Sequence, residues 1–126
     1  MPIIVYNRTR EDHSNNPNNF PIYRPYILGN PYTDIKSKNT KAMYVVKTRE
    51  EAISMYSDYF DTMYGSNKLF TEAVDRIYEK YKNGETVYLE CYCAPKPCHG
   101  DIIAEKLRKR LLKEKFRQLK NEQDII

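Results

Sequence analysis

Residues 86–107 read TVYLECYCAPKPCHGDIIAEKL, and this stretch decides the fold. Val87, Leu89, Cys91 and Cys93 alternate with Tyr88, Glu90 and Tyr92, the two-residue period of a strand with two unlike faces. Pro95 and Pro97 lack the N–H a sheet ladder needs, so the strand ends before them. Past Cys98 or His99, Ile103, Leu107 and Leu111 recur at helical spacing. The stretch therefore predicts a strand from Thr86 to Cys93, a tight loop, and a helix over about 99–120 with a frayed tail from Asn121.

Outward from there, Ile3-Ile4-Val5-Tyr6 reads as a first strand, and Met43 to Val46 as a second, shorter one. His13 to Asn19 is rich in turn formers and reads as loop. Thr48 and Glu51 have the spacing of a capping box; behind them Ala52, Ile53, Tyr56, Tyr59, Phe60 and Met63 form a helical stripe that Gly65 ends. Another helix begins near Ser66 or Asn67, carries Phe70, Ala73, Val74, Ile77, Tyr78 and Tyr81, and stops at Asn83-Gly84. The expectation is one α/β domain over residues 1–126, loop-rich over 8–42. It has a small, mostly parallel sheet, about three helices and a long basic C-terminal helix. Parallel sheets take ligands beyond the carboxyl ends of their strands, which is where the Cys91–Gly100 loop is expected.

A chain of 126 residues buries a core without disulfide staples. Its three cysteines, an odd number confined to residues 91–98, do not form a secreted disulfide framework and fit a reducing cytoplasm. There is no charged start followed by an apolar stretch, and no run near the ~20 apolar residues of a membrane span, so no membrane partner is expected. Net charge is +4, concentrated in the last helix, where Lys106, Arg108, Lys109, Arg110, Lys113, Lys115, Arg117 and Lys120 outnumber Glu105 and Glu114. Such a face attracts nucleic acid or is a solvated face suited to the helix dipole.

Three chemistries compete for the cysteine/histidine loop. Cys91, Cys93, Cys98 and His99 are all zinc ligand types, although adjacent Cys98-His99 is not a common zinc spacing. Cys98 and His99 also open a helix, where free N–H groups lower a thiol pKa and attract anions. In that reading Gly100 lets a phosphate approach the backbone and Asp101 orients His99 or a ligand hydroxyl. As an enzyme, Cys98 or Cys93 would be the nucleophile and His99 the acid/base. Third, the cysteines are small buried hydrophobes and His99 caps a helix. Upstream, Arg24 has the planar fork for a phosphate or carboxylate, Asn30 both a donor and an acceptor for a base or ribose, and Tyr23, Tyr26 or Tyr32 a stacking face. Gly29-Asn30-Pro31 reads as a tight bend, with Gly29 free to take positive φ.

Arg24-Pro25-Tyr26-Ile27-Leu28-Gly29-Asn30-Pro31-Tyr32, the helical pattern Arg49-x-x-Ala52-Ile53-x-x-Tyr56, and Cys91-x-Cys93-x-Pro95-x-x-Cys98-His99-Gly100 together resemble a family. It is an uncharacterised group of small phage and bacterial proteins, classed as a domain of unknown function. The resemblance spans roughly residues 4–107. The chain departs from it in an Asn-rich insert before Arg24 and in its extended basic helix. The resemblance singles out Arg24, Asn30, Cys93, Cys98 and His99 and attaches no activity to them. The reading that follows is a nucleotide-like or ADP-ribose-like phosphorylated ligand bound by Arg24, Asn30, Tyr32, Cys93, Cys98, His99, Gly100 and Asp101. A phage copy, acting in the host cytoplasm, would use it on a host-defence signal.

Overall fold

The predicted strand is the centre of the sheet. In the computed structural model, which describes residues 2–33 and 44–125 with side chains through Lys120, Ile3–Asn7 is β1, Asn19–Pro21 β2, Tyr32–Thr33 β3, Tyr44–Val45 β4 and Val87–Cys91 β5. The helices are Arg49–Met63 (α1), Lys68–Lys82 (α2) and His99–Ile125 (α3). Among the described residues β5 lies between β1 and β2 in one sheet, both pairings parallel, and β3 pairs with β4 in a small second sheet, also parallel. The described residues form an α/β domain with a mostly parallel small sheet and three helices. Residues 34–43, which hold part of the expected 8–42 loop and the start of the Met43–Val46 strand, lie outside the described residues.

Register explains the layers. Ile3 pairs with Val87 and Val5 with Leu89, so these residues share the face on which the helices pack. Phe70, Ile77, Ile103 and Leu107 close the core over that face. The opposite face carries Tyr6, Tyr88 and Glu90, with Asn19 from β2. The connection from β1 to β2 passes over it, because both strands flank β5. His13 stacks on Tyr88 with centroids 4.2 Å apart. Glu90, expected on the outer side of the strand, is 1% exposed. Its carboxylate accepts from Arg8 Nη1 and Asn19 Nδ2, each at 3.2 Å, which offsets the cost of burying the charge.

Local signals act as expected at the helix ends. Thr48 accepts the N–H of Glu51 at 3.1 Å, while Glu51 reaches back to the N–H of Lys47 at 3.2 Å, one residue earlier than the standard box. Asn67 caps α2 by accepting from Phe70 N at 3.0 Å. Gly65 and Gly84 take φ of +89° and +87° just past α1 and α2. The last helix is longer than predicted and continues to Ile125 rather than fraying from Asn121. No proline or glycine interrupts that segment.

Candidate functional site at the carboxyl edge of the sheet

All three strands of the main sheet end at one edge, and the cysteine loop emerges there from β5. Cys98 is the N-cap of α3. Its sulfur accepts the N–H of Gly100 at 3.3 Å, and Asp101 returns its carboxylate to the N–H of Cys98 at 3.1 Å. This is a capping box built on a thiol. Asp101 is thereby engaged by the helix start rather than by His99. Two N–H groups of the helix start are satisfied from within, so the positive charge for an anion falls to side chains.

The three sulfurs are unlike. Cys91 is buried, and its sulfur receives the Cys98 S–H at 3.8 Å and the N–H groups of Cys93 and Ala94 at 3.5 and 3.4 Å. Cys98 donation, helped by those two N–H groups, overcomes burial and lowers the Cys91 thiol to about 7. Cys98 moves the other way: as donor to Cys91, beside Cys93, and buried, it stays protonated. Cys93 is half-buried, and its thiol is lowered to about 6 by the neighbouring Cys98 first, then by Arg49 and Arg24.

Arg24 and Arg49 act on Cys93 electrostatically from different parts of the chain. Arg24 donates Nη1 to the carbonyls of Asn30 and Tyr32 at 2.8 and 3.3 Å, which folds its loop around the guanidinium. Arg49 is the first residue of α1 and donates to the Pro97 carbonyl at 3.4 Å. Next to them Tyr23 lies between Tyr26 and Tyr92, at centroid distances of 5.0 and 4.8 Å. Tyr26 and Tyr92 are about half exposed, 49% and 53%, so this cluster offers aromatic surface.

His99 is buried and its Nε2 lies 2.6 Å from the Ile22 carbonyl. A carbonyl only accepts, so Nε2 carries the proton. Burial lowers His99 to about 4, leaving a neutral ring that pins α3 to the end of β2. Tyr56 closes the same junction: its ring meets His99 at 4.9 Å and its hydroxyl donates to Leu28 O at 2.7 Å.

Arg24 and Cys98 both influence Cys93, and the other residues singled out make their hydrogen bonds and packing within the scaffold. The Asn30 amide donates to Ala52 O at 3.2 Å and accepts from Tyr32 N at 3.0 Å, joining the loop to α1. Tyr32 stacks on Tyr44 across the small sheet. Gly29 does not take the positive φ its sequence context suggested. Glycine is needed there because a Cβ would stand 3.0 Å from the Arg24 backbone. Gly100 faces the sheet, where a Cβ would meet Val5 Cγ1 at 2.8 Å and Ile22 Cδ1 at 2.9 Å. Gly100→Ala is thus expected to cost about 1–3 kcal/mol through overpacking, read as a lower urea midpoint with an unchanged m-value.

Sequence reasoning offers Tyr23 as a stacking face but does not single out Arg49 or Tyr92. Arg49 opens the Arg-x-x-Ala-Ile pattern but lies over forty residues from the cysteines, so only the fold joins them. For zinc, the 3.8 Å between the Cys91 and Cys98 sulfurs equals the roughly 3.8 Å edge of a tetrahedron with ~2.3 Å zinc–sulfur bonds. His99, the fourth expected ligand, has its Nε2 on Ile22, and among the described residues no three His, Cys, Asp or Glu side chains are grouped to hold a metal.

The architecture is that of a small parallel α/β domain with thiols and arginines at the carboxyl edge of its sheet. The chain belongs to the family described as a domain of unknown function, DUF4326, whose model matches residues 5–109. That match takes in the arginine loop, α1, β5 and the start of α3. No curated protein and no solved structure matches it. No helix among the described residues is long and apolar enough to cross a membrane.

Proposed function

We propose that this domain binds a phosphorylated, nucleotide-like small molecule, ADP-ribose-like compounds included, at the carboxyl edge of its sheet. One arrangement carries the reading: Tyr23 of the arginine loop packs between half-exposed Tyr26 and Tyr92, at 5.0 and 4.8 Å, where Tyr92 precedes a Cys93 that lies in the field of Arg24 and Arg49. Two guanidiniums suit a phosphate, and the tyrosine faces suit a base. In a phage-encoded copy the ligand would be a host-defence signal.

A thermal-shift series with inorganic phosphate, AMP and ADP-ribose tests this. At a hundredfold excess over Kd a ligand adds about 2.7 kcal/mol to stability, a shift of several degrees. The shift should shrink with Arg49→Met. If no phosphorylated compound moves the melting temperature, the reading fails. A second reading, an enzyme acting on a nucleoside or nucleotide, is favoured by Cys93 itself: a thiol held towards thiolate by a neighbouring S–H and two guanidiniums is a prepared nucleophile. Metal analysis of the purified protein separates both from a zinc-built site, which would show one equivalent of zinc lost together with the fold on chelation.

A further inference from the structure

A second basic surface lies away from the thiol site. A groove of about 630 Å³ runs between the C-terminal end of α1 and the outer half of α3. Phe60 and Tyr64 form part of its wall, and five basic side chains face Asp61 and Glu114. Three of the five are already committed. Lys109 pairs with Glu105 at 2.8 Å. Lys106 pairs with Asp61 at 2.9 Å. Arg110 pairs with Asp75 at 2.8 Å and lies 3.8 Å over the Tyr78 ring.

Lys113 and Arg117 are different. Both line the groove, both are exposed, and neither has a carboxylate partner among the described residues. With Lys120, also without an ion-pair partner among the described residues, they form one row at helical spacing, so the charges recur about every 5 to 6 Å over roughly 10 Å. Beside the row Leu112 and Phe116 point outward, 56% and 63% exposed. This half of α3 continues past residue 109, where the family match ends.

We propose that this row and groove bind single-stranded nucleic acid. The phosphates follow Lys113, Arg117 and Lys120, and a base rests on Phe116. A flexible polyanion fits a linear row of unpaired cations better than a compact phosphate does, and an exposed aromatic beside the row supplies stacking that tolerates any sequence.

The test is fluorescence anisotropy of a labelled oligothymidylate with the full chain across a salt series. Three neutralised phosphates give a slope of log K against log salt of about −2. Lys113→Glu with Arg117→Glu should weaken binding at least tenfold and flatten the slope. Arg108→Glu with Lys115→Glu, the same charge change on the opposite flank, should stay within twofold. Circular dichroism melts confirm that both variants fold, and Cys93→Ser should leave binding unchanged. The proposal is overturned by no binding at low salt or by equal losses from the two charge pairs. It is equally overturned by binding to phosphatidylserine vesicles without binding to the oligonucleotide.

Discussion

Alkylation of Cys93 by iodoacetamide should rise with pH to an inflection near 6 and then level off. An ordinary thiol, near 9, would keep climbing through that range. The cause is local: the neighbouring Cys98 thiol has the largest influence, and Arg49 and Arg24 add positive charge. At pH 6 about half of Cys93 is thiolate, against about one part in a thousand of an ordinary thiol. A low-pKa thiolate is also a weaker nucleophile, so the net advantage at that pH is roughly twentyfold rather than several hundredfold. The shape of the profile is therefore the sharper readout. Arg49→Met should move the inflection upward, and Cys98→Ala should move it further, since the Cys98 thiol is the larger influence. Cys91, buried at the sheet edge, should react slowly in the native state. Peptide mass spectrometry after timed quenching assigns each rate. A wild-type inflection near 9, or one that neither variant moves, contradicts the thiol arrangement.

The second large effect is on stability in acid. His99 is neutral in the native state because burial lowers it to about 4 from an ordinary 6.5. The unfolded chain takes up that proton first as pH falls. The stability His99 contributes is whole above about 6.5, declines between 6.5 and 4, and is fully lost below 4. The difference corresponds to about 3 kcal/mol. Urea unfolding at several pH values measures it. Carboxylates held low by their partners, such as Asp75 and Glu114, also lose stability in acid, so the comparison must be with a variant. His99→Gln keeps an N–H donor without titrating in this range, and its stability should change less from pH 6.5 to 4. Equal slopes for the two proteins would place the acid sensitivity elsewhere. His99→Phe should cost about 2–4 kcal/mol at neutral pH, because it strips the Ile22 carbonyl of its buried donor.

How much of this could be read beforehand follows from what each signal reports. Alternation along Val87–Cys91 and the stripe of α2 are strong local patterns, and both elements appear as predicted. β2 does not announce itself: Asn19-Phe20-Pro21 looks like turn sequence. It is a strand because it pairs at the edge of β5, and an edge position tolerates Pro21. The burial of Glu90 was equally hidden, since only the β1–β2 crossover brings Arg8 and Asn19 to it. The two loops adjoin, with Tyr23 packed on Tyr92 at 4.8 Å, but the sequence does not show the division of labour within them. Asn30, Gly100 and Asp101 look like ligand contacts as residue types, yet each has a nearer backbone or side-chain neighbour in the fold. Arg49 takes the electrostatic part that the helix N-terminus was expected to play, because the Cys98–Asp101 cap has already used donors there.

The central claim is that Cys93, Arg24 and Arg49 share one site for a phosphorylated ligand. Its most direct test is the rate of Cys93 alkylation at fixed pH with and without ADP-ribose, AMP or inorganic phosphate. The account predicts that at least one of these slows Cys93 in a saturable way, and that Arg49→Met weakens the protection. Alkylation unaffected by every phosphorylated compound, in a protein whose Cys93 shows the low inflection, would leave the thiolate in place and remove the ligand site.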